Sequence, residues 1–188
     1  MFMTEKADFI TVRSILKKFL EDENIRSRLR LIKSRNRNDW EKWLQVELEY
    51  FISQSPNVHV EREVKAKPDN RMLPNRNSMS VDLIFSKSKK TEKPYIFLEL
   101  KCTREVQALI NGFNLDISKI NSIKSCMYDL RSYWCVGFHL NCSNLSINRI
   151  KDHVEKYPYG YHEVVKLCNC KDDSQCICNS NEIGLAII

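Results

Sequence analysis

Glycine is scarce, with four residues in 188, a composition shared neither by disordered chains nor by fibrous repeats. Long apolar runs are missing as well. None approaches the ~18 residues of a membrane-spanning helix, and the opening "MFMTEKADFITVRSILKKFLEDE" sets Lys and Glu among its apolar positions, which leaves no uninterrupted signal-peptide core. Neither an internal repeat nor a low-complexity tract is present. These absences predict a reduced, cytoplasmic protein with no membrane partner. Its eight cysteines are then expected as free thiols or metal ligands, not as the disulfide framework of a secreted domain.

What is present is a globular composition, 43% hydrophobic and 29% charged, with length for one well-cored domain and little room for a second. Residues 1–188 are read as that domain: a helical basic extension at 1–38, a catalytic core at 39–140, and a C-terminal helix with a cysteine-containing hairpin at 141–188. The 30 Lys and Arg against 24 Asp and Glu give a net charge of +6, which favours a polyanionic partner without requiring one. Much of the excess lies in "IRSRLRLIKSRNRN", where Arg26, Arg28, Arg30, Lys33, Arg35 and Arg37 occur with no acid among them. The segment reads either as a solvated helix face running into a polar loop or as a phosphate-contacting arm.

Helical periodicity opens the chain at Phe9, Ile10, Val12, Ile15, Leu16, Phe19 and Leu20. A second helix is expected from an N-cap at Asn38 or Asp39 to the stop at Ser55-Pro56. The period then changes to two. "VHVEREVKAK", "SVDLIFSK" and "YIFLELKC" read as three strands, the last two joined by the basic loop "SKSKKTEKP". A helical region carrying Ile117, Ile120, Ile123 and Met127 follows, then a strand at "YWCVGFHL", a helix marked by Ile147, Ile150, Val154 and Tyr157, and a closing strand pair at "YHEVVKLC" and "EIGLAII". The expected class is α/β (α+β): a central mixed β-sheet flanked by helices, with an N-terminal helical extension and a C-terminal β-hairpin.

The strand "YIFLELKC" carries two charges where a buried strand would carry hydrophobes. Alternation puts Phe97, Glu99 and Lys101 on one face and Ile96, Leu98, Leu100 and Cys102 on the other. In "SVDLIF", Asp82 points away from the face of Val81 and Leu83, and hairpin pairing would bring it beside Glu99. On the second helix, at roughly 100° per residue, the arc of Trp40, Trp43, Leu44, Tyr50 and Phe51 centres on Glu47, while Glu49 falls opposite. Three inward carboxylates and a lysine neutralise one another if a divalent cation sits among them, and oxygen donors of this kind suit Mg²⁺ or Mn²⁺.

A helix glutamate followed by Asp, sixteen residues, Glu, one residue and Lys resembles the PD-(D/E)XK nuclease superfamily, whose fold is that of the type II restriction endonucleases. "LQVELEYF", "SVDLIF" and "IFLELKC" carry the resemblance, which spans roughly Trp40 to Leu140; Val81 stands where the family has a proline. The resemblance implies a restriction endonuclease-like core and Mg²⁺-dependent hydrolysis of DNA by a restriction-type or phage-defence endonuclease. Asp82 and Glu99 would be metal ligands assisted by the Leu100 carbonyl. Lys101 would position or activate the water, and Glu47 would hold a second metal or a metal-bound water. Alternatives are a Holliday-junction resolvase or DNA-repair nuclease, and a catalytically inactive nuclease-fold subunit that binds DNA. A homodimer or a partner subunit is expected if both strands are cut.

Other features carry two readings each. Arg71 and Arg76, in the loop before Asp82, grip phosphates or are solvated. Asp116 and Lys119 match an acid and lysine found after the motif strand in some relatives, or form an ordinary helix-surface pair. A second Glu-x-Lys, Glu63-Val64-Lys65, lies on a strand polar enough to be exposed and lacks a preceding Asp-bearing strand. Cys168, Cys170, Cys176 and Cys178 in "CNCKDDSQCIC" are either a structural Zn²⁺ site or reduced loop cysteines; Cys-x-Cys on flat strands holds its sulfurs ~7 Å apart, against tetrahedral coordination. Cys102, Cys126, Cys135 and Cys142 are expected in core packing. His59, His139, His153 and His162 show no ligand spacing, and Trp40 and Trp43 are expected to pack inward.

Overall fold

The computed structural model describes residues 2–37, 39–72, 77–87, 94–168, 170 and 181–188. Five helices and seven strands run in the order α1 (Phe2–Glu21), α2 (Glu23–Arg35), α3 (Glu41–Ser53), β1 (His59–Pro68), β2 (Met79–Ser86), β3 (Tyr95–Thr103), α4 (Val106–Asn121), β4 (Ile123–Cys126), β5 (Leu130–His139), α5 (Asn144–Val154), β6 (Tyr161–Lys166) and β7 (Glu182–Ile187). One mixed sheet holds all seven strands in the order β4-β1-β2-β3-β5-β7-β6. Among the described residues, its one parallel pair is β3 with β5. A parallel pair needs a crossover, and α4 provides it.

The helices cover both faces. α1, α2 and α3 pack Leu16, Phe19, Leu29, Leu44 and Leu48 against Leu83, Leu98, Leu100, Val136 and Phe138. On the other face α4 and α5 meet Cys135 and Ala186, and Ile120 of α4 meets Val64, Val81, Ile84 and Phe97. β3 is thus covered on both sides, which accounts for its nearly continuous apolar sequence. Among the described residues, no helix is long and apolar enough to cross a membrane.

Two expectations change, and the basic segment takes the helical form that one of its two readings supposed. The basic segment is a helix in its own right, capped by Asp22, whose side chain accepts from the N–H groups of Asn24 and Ile25. α3 begins at Glu41 with Trp40 as N-cap and no side-chain cap; Asn38 lies outside the described residues. α4 ends at Asn121, where Ser122 closes the last turn onto Lys119 and Ile120. Ile123 therefore opens β4 and does not continue the helical stripe, and Met127 is 78% exposed.

Candidate active site

β2 and β3 pair from Phe85↔Ile96 to Leu83↔Leu98 and then separate, while β3 continues to Thr103 beside β5. The break is written into both neighbouring strands. Val81 packs toward α4 with Val64 and Ile120, whereas Leu83 packs into the opposite core. Residues two apart share a face in a regular strand, so alternation fails at Asp82. Across from it, Glu63 has a φ of 56°, in the left-handed region that side chains seldom adopt. Pairing resumes at Val64↔Val81.

The resulting fork leaves two N–H groups of β3 without a strand partner, and buried donors left unpaired are costly. Carboxylates take both. Asp82 Oδ2 accepts from the Leu100 N–H at 2.8 Å, and Glu41 Oε2 accepts from the Cys102 N–H at 3.1 Å. Lys101 Nζ lies 3.5 Å from Glu41 Oε2 and 3.9 Å from Asp116 Oδ2. Its aliphatic stem crosses Gly112 of α4, where a Cβ would approach Lys101 Cγ, Cδ and Cε at 2.9, 3.0 and 3.2 Å. Glu99, 2% exposed, accepts from Lys119 Nζ on Oε2 at 2.5 Å, while its Oε1 is buried and takes no hydrogen bond. Asp116 Oδ2 is likewise buried without a hydrogen bond, since 3.9 Å to Lys101 is an ion-pair separation only.

Four carboxylates thus face two ammonium groups. Burial, reinforced by the charge of Asp82 and only partly offset by Lys119, pushes Glu99 up to about 9. Burial also pushes Asp116 up to about 6, against the pull of Lys101 and Lys119. For Lys101, burial disfavours the charge, but Asp116, Glu41 and Asp82 together outweigh it and raise its pKa. Lys101 is an ammonium at neutral pH.

Asp82, Glu99 and Lys101 therefore lie in one charged cluster, although the pairing expected to bring Asp82 beside Glu99 stops at Leu83↔Leu98. Glu47 does not join them. It is held by Arg28 and, at 3.1 Å, by Trp43 Nε1. The aromatic arc misplaced the inward face: Tyr50 is 64% exposed, and the buried positions of α3 are Leu44, Gln45, Leu48 and Ile52. At roughly 100° per residue, those four centre on Glu41, so the aliphatic residues alone would have found it. Asp116 and Lys119 belong to the cluster and are not a surface pair. β1 lies between β4 and β2 and is not an exposed strand; its Glu63 is paired with Lys42 and accepts from Ser80 Oγ at 3.0 Å.

Much of the expected phosphate arm is engaged inside the protein. Arg26 donates to the carbonyls of Lys166 and Cys168 at 2.8 and 2.6 Å, Arg30 to that of Leu167 at 2.5 Å, Lys33 to that of Leu140, and Arg28 to Glu47. Arg35 and Arg37 have no side-chain partner among the described residues. Arg71 is occupied by Asp69, at 2.7 Å. Arg76, Cys176 and Cys178 lie outside the described residues, and with them half of the thiol set expected for zinc; Cys170 is exposed. Cys102 and Cys135 are buried, and Cys126 and Cys142 partly so. His139 and His162, far apart in sequence, stack with Nε2 atoms 3.0 Å apart. Among the described residues no group of three or more His, Cys, Asp or Glu side chains is arranged to hold a metal ion. No protein family, curated protein or solved structure matches this chain.

Proposed function

We propose that this chain is a metal-dependent nuclease with the restriction endonuclease-like core of the PD-(D/E)XK superfamily, hydrolysing phosphodiester bonds of DNA in a restriction or phage-defence setting. The observation that carries the reading is the fork. Asp82 and Glu41 accept from the freed N–H groups of Leu100 and Cys102 there, Lys101 lies 3.5 Å from Glu41, and Glu99 Oε1 stays buried without a donor. An orphaned carboxylate oxygen in a cluster with excess negative charge is what a cation would satisfy. Asp82 and Glu99 would hold Mg²⁺ or Mn²⁺ together with the Leu100 carbonyl, which projects on the same side of β3 as the Leu100 N–H. One or two carboxylates completed by water and substrate phosphate is the usual magnesium set. Such an ion supplies Lewis acidity toward a phosphoryl oxygen and compensates its charge.

The remaining work falls to the chain. Lys101, kept charged, acts as a donor and not as a base: it orients the attacking water and offsets negative charge on the phosphoryl oxygens. Glu41 and Asp116 hold its ammonium from two sides, and Glu41 also ties α3 to the end of β3 through the Cys102 N–H. Cleavage of linear, branched and single-stranded DNA in Mg²⁺ tests the proposal. Wild type is expected to cut, and Asp82→Ala and Lys101→Ala to lose on the order of 10²-fold or more in rate. A wild type that cuts none of the three, or variants that cut as well as it does, would overturn the reading.

A further inference from the structure

Beyond Glu99 the fork opens into a polar pocket of about 430 Å³ between β1, the start of β2 and the last turn of α4, lined by Glu63, Lys65, Ser78, Met79, Ser80 and Lys119. Lys119 joins the pocket to the charged cluster, since its Nζ donates to Glu99. Lys65 is exposed, and its ammonium has no partner among the described residues. The one acid in the wall, Glu63, is already engaged: Lys42 pairs with one of its oxygens and Ser80 donates to the other. What the described wall offers an incoming group is the ammonium of Lys65, the exposed hydroxyl of Ser78 and the Lys119 ammonium, one of whose hydrogens is already committed to Glu99. That is a surface for an anion.

We propose that this pocket is a second phosphate subsite, seating a backbone phosphate next to the one cleaved, with Lys65 as its principal cation. The inference rests on the nuclease reading of the fork. A nucleic-acid strand held at one phosphate gains affinity and orientation from a second backbone contact, one made equally in the bound substrate and in the transition state. The Glu63-Val64-Lys65 triplet then divides its labour. Glu63 anchors Lys42 and Ser80, and Lys65 meets substrate.

Binding of a fluorescein-labelled 20-base-pair duplex, followed by anisotropy in Ca²⁺ over a range of salt concentrations, tests this alongside steady-state cleavage in Mg²⁺. Lys65→Gln is expected to lower the slope of log K against log salt by about 0.9, the value for one phosphate contact on duplex DNA. Its KM should rise several-fold with kcat at saturation within about twofold of wild type. Lys65→Arg should restore both quantities, and Lys17→Gln, which removes an exposed α1 charge, should leave the slope unchanged. A Lys65→Gln slope and KM equal to wild type would overturn the subsite, as would an equal drop in Lys17→Gln. Wild type that binds without cutting removes the nuclease reading and leaves the slopes to decide the subsite; wild type that does not bind removes both.

Discussion

Replacing Gly112 by alanine separates the stability of the fold from the placement of Lys101. The new Cβ would stand 2.9 Å from Lys101 Cγ, 3.0 Å from Cδ and 3.2 Å from Cε. Carbon pairs prefer about 3.5–4.0 Å, so the lysine stem must move by roughly 0.5 Å or more near Cγ, and the shift grows toward Nζ. That atom now sits 3.5 Å from Glu41 and 3.9 Å from Asp116, and a displacement approaching 1 Å breaks one or both contacts. In the opposite direction, alanine is favoured over glycine in a helix interior by about 1 kcal/mol. The clash falls on a flexible side chain that can swing toward solvent, so the stability change should lie within about 1 kcal/mol of zero. Urea unfolding is expected to give a nearly unchanged midpoint, while single-turnover cleavage in Mg²⁺ slows by ~10–10². Full activity in Gly112→Ala would refute the placement argument. A loss of activity that merely tracks a loss of stability above ~2 kcal/mol would place the clash in the core instead.

Glu41→Gln should reduce cleavage by at least ~10-fold, whereas Glu47→Gln, which disturbs only Arg28 and Trp43, should stay within about twofold of wild type; equal losses would cancel the assignment of Glu41. Cation binding should depend on pH with a definite sign. Glu99, pushed up to about 9 by burial and by Asp82, carries a proton at pH 7 that must leave before the carboxylate can bind a metal. Mn²⁺ affinity is therefore expected to rise from pH 7 toward 9, with about one proton released per ion at pH 7 in calorimetry across two buffers; release equal in Glu99→Gln and wild type would contradict it. The stacked histidines set a separate window. Burial, then His139 and Lys151, depresses His162 to about 4, so its neutral form stabilises the fold fully above the unfolded value of about 6.5. That stability is lost as pH falls from there toward 4. Wild-type melting temperature should drop across that window more than that of His162→Asn, and parallel curves would refute the coupling.

How much of this could be read from the sequence follows from how local each cause is. Phe97, Glu99 and Lys101 share a face because alternation is a property of one strand, and the structure puts Phe97 against Ile120, Glu99 against Lys119 and Lys101 against Asp116 and Gly112, all on α4. Arg26 and Arg30 of α2 could not be assigned that way. Their partners are carbonyls at Lys166, Leu167 and Cys168, and nothing in a basic segment indicates which distant backbone groups need donors. The fork is the least local feature of all, since it requires alternation to fail at Asp82 and Glu63 to take a left-handed φ opposite it. Yet that failure gives the acids their positions. Where β2 leaves β3, the N–H groups of Leu100 and Cys102 must find acceptors, and a carboxylate serves without ladder geometry. One comes from the departing strand as Asp82 and the other from the first turn of α3 as Glu41. Glu41 is therefore selected by a donor that the sheet has left free. A helical wheel weighted by aromatic residues points instead at Glu47, about one and two-thirds turns further along α3, where no such donor waits.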